Sequence, residues 1–263
     1  MNSGFPSSSV AEIAFFVLGG IMGSFLNVCI YRIPREGSIV RPGSRCPACT
    51  AAIRAYDNIP LVSYLMLRGR CRRCGEAISI RYPLVELITA ALFAAFFRIY
   101  GLSLELAASL VLVCLLTVIS FIDLDFMIIP DVLSLGGLAL GVALSFFRPS
   151  FGIVDSLTGV LVGGGVLFAI AKGYELLRKR EGMGLGDVKL LGMIGAFCGI
   201  EGVVFTLVSA SCIGTVVGIP LTLIKGEGTK YALPFGPFLS LGALLYMIAG
   251  QDLIRLVFRM IAR

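Results

Sequence analysis

LELAASLVLVCLLTVISFIDLDFMIIPD (104–131) is the stretch on which the reading of this chain turns. From Leu104 to Ile122 it carries a single charge, Glu105, and is long enough to cross a hydrocarbon core of ~30 Å. Asp123 follows at once, with Asp125 and Asp131 close behind and only Phe126, Met127, Ile128, Ile129 and Pro130 between those two. A carboxylate at the end of a lipid-embedded run is costly to keep and points to function.

The whole chain extends that reading. With 57% apolar and 14% charged residues and a mean hydropathy of +0.96, it cannot clothe a soluble domain in polar surface. Runs of spanning character fall near 10–31, 83–100, 104–122, 127–147, 153–175, 188–200, 201–224 and 235–250. The expected fold is an all-α polytopic membrane protein of about eight transmembrane helices. The sixth and seventh are divided only by Gly199-Ile200-Glu201-Gly202, and Gly192, Gly195 and Ala196 allow close helix packing there. The first run lacks a basic leader region and a small-residue cleavage site, so it reads as a retained span with Asn27 turned toward the bundle interior.

Positive charge gathers between the first two runs, at Arg35, Arg41, Arg45, Arg54, Arg68, Arg70, Arg72, Arg73 and Arg81. By the positive-inside rule this segment faces the cytoplasm, and counting helices brings the loops around Asp123–Asp131, Lys172–Asp187 and Lys225–Lys230 to the same side. Arg255, Arg259 and Arg263 break the pattern, since eight spans put them outside; their spacing by four reads as an amphipathic interfacial helix. The organisation expected is a first transmembrane helix (1–32), a small cytoplasmic loop domain (33–82) and a membrane-embedded domain (83–263).

Four of the eight cysteines lie in that loop domain, as Cys46-Pro-Ala-Cys49 and Cys71-Arg-Arg-Cys74 with twenty-one residues between the pairs. Two such knuckles present four thiolates tetrahedrally, and soft thiolate ligation selects Zn²⁺. Paired disulfides or a redox CxxC are the alternatives; the cytoplasmic side opposes the first and the absence of a βαβ pattern the second. A metal with four thiolates has no open position, so the expected role is structural, as a staple for a domain too small to bury its own core. Cys29, Cys114, Cys198 and Cys212 lie in apolar runs and read as small buried hydrophobes.

The chain has no histidine, which excludes His-dependent base catalysis, Ser-His triads and HExxH metalloprotease chemistry. What remains is carboxylate chemistry. Taken singly, Asp125 and Asp131 read as solvated loop residues. Asp187 follows Gly182, Gly184 and Gly186 and precedes the apolar run Leu190–Ile194, which alone reads as a helix N-cap. Together, Asp123 and Asp187 make a candidate aspartyl dyad: two carboxylates sharing a site cannot both ionise cheaply, and the pair can activate water against a peptide carbonyl. Lys189 is read as a neutralising partner or a contact to lipid phosphate. A transporter with membrane-edge carboxylates is a second reading, weakened by the lack of polar groups along the spans and of an inverted repeat. A zinc-loop adaptor with capping aspartates is a third.

GSFLNVCIYRIP (23–34), the paired CxxC module, NIPLVSYL (58–65), RYPLVEL (81–87), FIDLDFMIIPD (121–131), GMGLGDVKLL (182–191) and PFGPFL (234–239) together resemble the type 4 prepilin peptidases of bacteria, over nearly the whole chain and in the same order. The resemblance implies a GxGD-type aspartyl protease of the inner membrane, with Gly184-Leu185-Gly186-Asp187 as the GxGD and Asp123 and Asp187 as the catalytic pair. It implies removal of a short basic leader from prepilins or pseudopilins at the cytoplasmic face. The cysteine loop further implies N-methylation of the new terminus with S-adenosylmethionine. A Gly-Lys pair tied to methylation in some members corresponds to Gly69-Arg70 here, where the charge is kept and Lys is replaced. The expected partners are prepilin or pseudopilin substrates and the lipid bilayer, with no nucleic acid.

Overall fold

The computed structural model describes residues 9–178, 184–225, 233–250 and 253. Among these the regular structure is helical, and the only β-pairings are two isolated bridges, Arg45 with Ala52 and Arg70 with Ala77. The helices are α1 (Ser9–Arg32), the short α2 (Val62–Met66), α3 (Arg81–Tyr100), α4 (Leu104–Phe126), α5 (Asp131–Ser145), α6 (Ile153–Arg178), α7 (Leu185–Lys225) and α8 (Gly236–Leu245), the last running on into one π-turn, Tyr246–Gly250. Five of the helical segments are long and apolar enough to cross a membrane, and α5 and α8 are shorter apolar helices.

The eight expected apolar segments are all present once the break in α7 is counted. Gly199 leaves helical geometry (φ 68°, ψ −170°) and divides α7 in two, within the Gly199–Gly202 break the sequence marks. The left-handed φ there is open to glycine without strain. Arg148 holds the bend: its Nη1 donates to the Phe197 carbonyl (2.8 Å) and its guanidinium lies over the Phe151 ring. Helix starts follow their capping residues. Ser103 Oγ accepts from the Leu106 N–H (3.1 Å) to open α4, and Asp155 accepts from the Gly152 N–H (2.9 Å) at the start of α6.

Contacts divide the chain into two compact units, Met1–Val118 and Ile119–Arg263, with the division inside α4. In the first, α1 and α3 run antiparallel at glycine-limited distance. A Cβ on Gly19 or Gly23 would stand 2.7 Å from the Cα of Ala90 or Glu86. This is the small-residue packing by which helices associate in lipid, where the hydrophobic effect supplies no driving force. Phe15 stacks on Phe97, and Asn27 is buried as expected, its Nδ2 donating to the Gly23 and Tyr82 carbonyls.

In the second unit α7 is the hub. Its first half meets α6 through Gly159 and Gly195, each of which would place a Cβ within 2.2 Å of the other's carbonyl oxygen, and Ser156 Oγ donates to the Ala196 carbonyl. Gly141 of α5 packs on Phe197, and Gly242 of α8 on the Thr206 backbone. Leu190, Leu191, Met193 and Ile194 are fully buried by these contacts. The remaining cysteines divide: Cys29 is buried, Cys114 and Cys198 are half-buried, and Cys212 is exposed. For Cys212 the expectation of burial is corrected. It lies on an open face of the second half of α7, where neighbouring Ser211 is exposed as well.

Candidate functional site

Asp123 lies in the last turn of α4, which runs four residues beyond the expected span to Phe126. Its side chain is only 5% exposed, and its Oδ2 accepts a hydrogen bond from the Gly236 backbone N–H at 2.9 Å. Gly236 opens α8 with a proline beside it, so its N–H belongs to the helix start that has no carbonyl partner within the helix. The bond is available only because Gly236 lacks a side chain: a Cβ there would stand 2.7 Å from Asp123 Oδ2.

After Asp123 the chain turns sharply. Met127 takes a left-handed φ of 54°, its N–H bonded to the Asp123 carbonyl, and Pro130 leads into α5. The turn drives Ile129 between the two glycines that flank the site. A Cβ on Gly236 would meet Ile129 Cδ1 at 3.4 Å, and one on Gly186 would meet Ile129 Cβ at 3.0 Å. Only a residue without a side chain admits Ile129 this closely at position 186. Asp187, directly after Gly186, is half-buried in the first turn of α7. Ile129 thus lies against both Gly236, which meets Asp123, and Gly186, which precedes Asp187.

Several expectations are corrected in detail. Asp187 is the third residue of α7 and not its N-cap, with its N–H bonded to the Gly184 carbonyl at 3.2 Å. Asp125 lies within α4 and Asp131 is the first residue of α5, so neither is in a loop. Lys189 Nζ reaches Asp131 Oδ1 at 2.6 Å and so ties the start of α7 to the start of α5. Gly182 and the Arg255, Arg259, Arg263 tail lie outside the described residues. Gly236 and Ile129 were not anticipated as site residues. Each lies in a run quoted for the family resemblance, Gly236 in PFGPFL and Ile129 in FIDLDFMIIPD, with nothing in its residue type to single it out.

The four cysteines of the paired CxxC module converge, with all Sγ atoms within 4.8 Å of one another and Cys46 and Cys74 at 3.9 Å. Four thiolates on a tetrahedron around Zn²⁺ with bonds of ~2.3 Å stand roughly 3.8 Å apart, so the donor set fits that ion. Two equivalent knuckles produce it. The Cys46 N–H bonds the Ala51 carbonyl and the Thr50 N–H the Cys46 carbonyl; the Cys71 N–H bonds Glu76 and the Gly75 N–H bonds Cys71. The Ile53 N–H returns to Ser44 in the first and the Ile78 N–H to Gly69 in the second. Cys71 is drawn down to about 6 by the backbone N–H groups of Cys74 and Arg73. Cys74 is pushed up to about 12: the Glu76 N–H pulls it down, but desolvation and the neighbouring thiols outweigh it. Thiols this close ionise together only when a cation neutralises them. Gly69 and Arg70 form the ladder of the second knuckle, Gly69 at φ 67° and Arg70 bridged to Ala77, with the Arg70 side chain exposed.

Two family models match the chain. Residues 17–100 match the model of the Bacterial Peptidase A24 N-terminal domain, and residues 110–219 match that of the Type IV leader peptidase family. Among curated relatives, a prepilin leader peptidase/N-methyltransferase of Pseudomonas putida is 36% identical over 259 residues, covering 90% of either chain. The chain belongs to the Type IV leader peptidase family. A prepilin leader peptidase/N-methyltransferase of Myxococcus xanthus is 46% identical over 217 residues, 82% of this chain, and the match spans 64% of that protein's length. One of Pseudomonas aeruginosa is 35% identical over 262 residues, 91% of this chain and 90% of that one. No solved structure matches. Within the family match lie Asp123 and Asp187; Gly236 lies beyond its end.

Proposed function

We propose that this chain removes the leader peptide from prepilins or pseudopilins by an aspartyl dyad, Asp123 and Asp187, and then N-methylates the exposed terminus. The observation that carries the reading is the oriented pair itself. The end of α4 and the start of α7 each present a carboxylate beside a glycine packed on Ile129, and Asp123 is fixed by the Gly236 N–H. Family membership supports the same activity, and each of the relatives described above is named for both reactions.

One carboxylate takes a proton from water as the oxygen attacks the scissile carbonyl, and the other, protonated, delivers its proton to the carbonyl oxygen. The tetrahedral intermediate then collapses: the C–N bond breaks, the leaving amine takes the proton held by the first carboxylate, and a hydroxyl of the intermediate returns a proton to the second as the C=O bond re-forms. Burial of Asp123 keeps bulk water from one side of the pair, while Asp187 stays half open for the substrate.

In this reading Cys46, Cys49, Cys71 and Cys74 hold a structural Zn²⁺ that braces the 33–82 domain between the first helix (1–32) and the peptidase domain (83–263). S-adenosylmethionine supplies the methyl group for transfer to the new α-amino nitrogen. Gly69 and Arg70 are assigned to that step only through Arg70, whose exposed cation is free of the knuckle's backbone bonding; Gly69 shapes the turn. The enzyme sits in the bacterial inner membrane, with the dyad and the zinc domain on the cytoplasmic face where the arginines of 35–81 gather.

Mass spectrometry of a prepilin incubated with the membrane-reconstituted enzyme, with and without S-adenosylmethionine, tests this. A shortened product carrying one added methyl group is expected with the donor, and a shortened unmethylated product without it. An uncut prepilin beside an active control peptidase overturns the proposal.

A further inference from the structure

NIPLVSYLML (58–67) takes part in neither the dyad nor the cysteine cluster, and it carries no charge although Arg54 and Asp57 precede it and Arg68 follows. The α1–α3 pair supplies a depth scale for it. Asn27 meets Tyr82, Gly23 meets Glu86 and Gly19 meets Ala90, so each turn down α1 is matched by a turn down α3. In that register Gly20 lies level with Thr89, eight residues below Arg81 at the head of α3, or about 12 Å at 1.5 Å per residue. Pro60 packs there: a Cβ on Gly20 would stand 3.5 Å from Pro60 Cβ. The next residue, Leu61, donates its N–H to Glu86 Oε2 at 2.8 Å, roughly 7.5 Å below Arg81.

Irregular backbone at such depth persists only where its polar groups find partners within the protein. Here they do. The Ile59 N–H bonds Ser63 Oγ, which itself donates to the Tyr56 carbonyl; Pro60 has no N–H; Leu61 has Glu86; and the Val62 and Ser63 N–H groups bond the Pro60 and Ile59 carbonyls. Glu86 and Ser63 are both buried, which gives a charged residue within α3 a defined task. Beyond Asn58, exposed at the head of the segment, the side chains turned outward are apolar: Ile59, Val62, Leu65 at 74% exposure and Met66 at 75%. The α1 helix on which Pro60 packs is long and apolar enough to cross a membrane, and Val17 and Ile21 on it are exposed as well.

We infer that residues 58–67 form a re-entrant segment that descends from the metal-binding knuckles into the acyl region of the bilayer, with Ile59, Val62, Leu65 and Met66 against lipid chains. Pro60 is its lowest point, and α2 carries the chain back up to Gly69 and the second knuckle. The 33–82 domain is thereby anchored in lipid at its centre as well as at its two ends. The occupant is lipid because the segment packs at Gly20 on a helix of membrane-spanning length and because the charges stop on either side of it.

The chain contains no tryptophan, so a single introduced one reports without background. Full-length Leu65→Trp and Met66→Trp, reconstituted in phosphatidylcholine/phosphatidylglycerol vesicles, are compared with Val40→Trp, which is 78% exposed in the approach to the first knuckle. Retained metal content confirms folding, and Val62→Trp replaces either reporter that fails to insert. For the segment reporters we expect blue-shifted emission, loss of intensity with lipids brominated along the acyl chain, and shielding from aqueous iodide; Val40→Trp shows the reverse. Iodide access without bromolipid quenching at positions 65 and 66 overturns the inference. So does bromolipid quenching abolished by added prepilin, which would give the face to the substrate's apolar helix.

Discussion

Replacing Gly236 by alanine strikes the dyad at one atom. The new Cβ would lie 2.7 Å from Asp123 Oδ2 and 3.3 Å from Cγ, where ordinary contact begins at 3.4 Å. Ile129 Cδ1, at 3.4 Å, blocks retreat of the Cβ on its other side. The group that yields is the carboxylate, which must withdraw by about 0.7 Å and stretch its 2.9 Å bond to the Gly236 N–H. Since a misplacement of about 1 Å in a reacting group costs on the order of 10²-fold in rate, the expected loss in kcat is between roughly 10- and 100-fold, or about 1.4–2.7 kcal/mol of transition-state stabilisation. The close contacts of the new Cβ are with the Asp123 carboxylate and Ile129, so KM is expected to stay within about twofold. The assay is cleavage of a purified prepilin by the reconstituted enzyme under saturating and sub-saturating substrate, with thermal unfolding in detergent as the fold control. A wild-type kcat in the alanine variant would refute the positioning role of Gly236; an equal rise in KM would refute its restriction to chemistry.

Asp123→Asn and Asp187→Asn are each expected to abolish cleavage while the protein inserts normally and still methylates a pre-cleaved pilin; substantial cleavage by either removes the dyad. Cys46→Ser and Cys74→Ser should lose the bound metal, read by elemental analysis of the purified protein, because three thiolates hold a structural ion far less tightly than four; unchanged metal content rules out the site. Thr50 occupies with φ 56° the knuckle position that Gly75 holds with φ 75°, so Thr50→Gly should relieve about 1 kcal/mol of left-handed strain and raise resistance of the metal to chelator about fivefold. Gly195→Ala must push against the Gly159 carbonyl at 2.1 Å, and a lowered unfolding temperature with reduced yield is the expected result.

The spans were legible because lipid imposes one length and one composition on any helix that crosses it. The division of α7 was legible because Gly199-Ile200-Glu201-Gly202 interrupts that composition. Asp123 and Asp187 stood out for the same reason, as charges where apolar runs begin or end. Helix ends were less legible: α4 continues through Leu124, Asp125 and Phe126 because backbone hydrogen bonding persists after the apolar run stops. Gly236 could not be found by such arguments. Its role is a backbone N–H reaching a carboxylate 113 residues away, and a backbone donor leaves no signature in residue type. The pairing of Lys189 with Asp131 was hidden likewise, since it depends on which helix starts lie side by side. The cysteine module was legible as a ligand set, but the left-handed Thr50 that distinguishes its two knuckles was not.

The glycines separate scaffold from chemistry by what each would strike. Gly19, Gly23, Gly159, Gly195 and Gly242 face the backbone of a neighbouring helix at 2.1–2.7 Å, so a side chain at any of them must push a pair of helices apart. In lipid, where those helices are held by close packing and little else, separating them removes the contact that orders the bundle. Gly236 faces a carboxylate at the same distance, and a carboxylate can swing without moving a helix. The same substitution therefore falls on stability in the first group and on rate at Gly236. The contrast is local: the first half of α7 and the start of α8 are held by glycine contacts and buried side chains, while the Asp123 carboxylate is held by the Gly236 N–H. On the dyad proposed above, a carboxylate held in this way keeps the fraction of an ångström of freedom that passing a proton between water and a peptide requires.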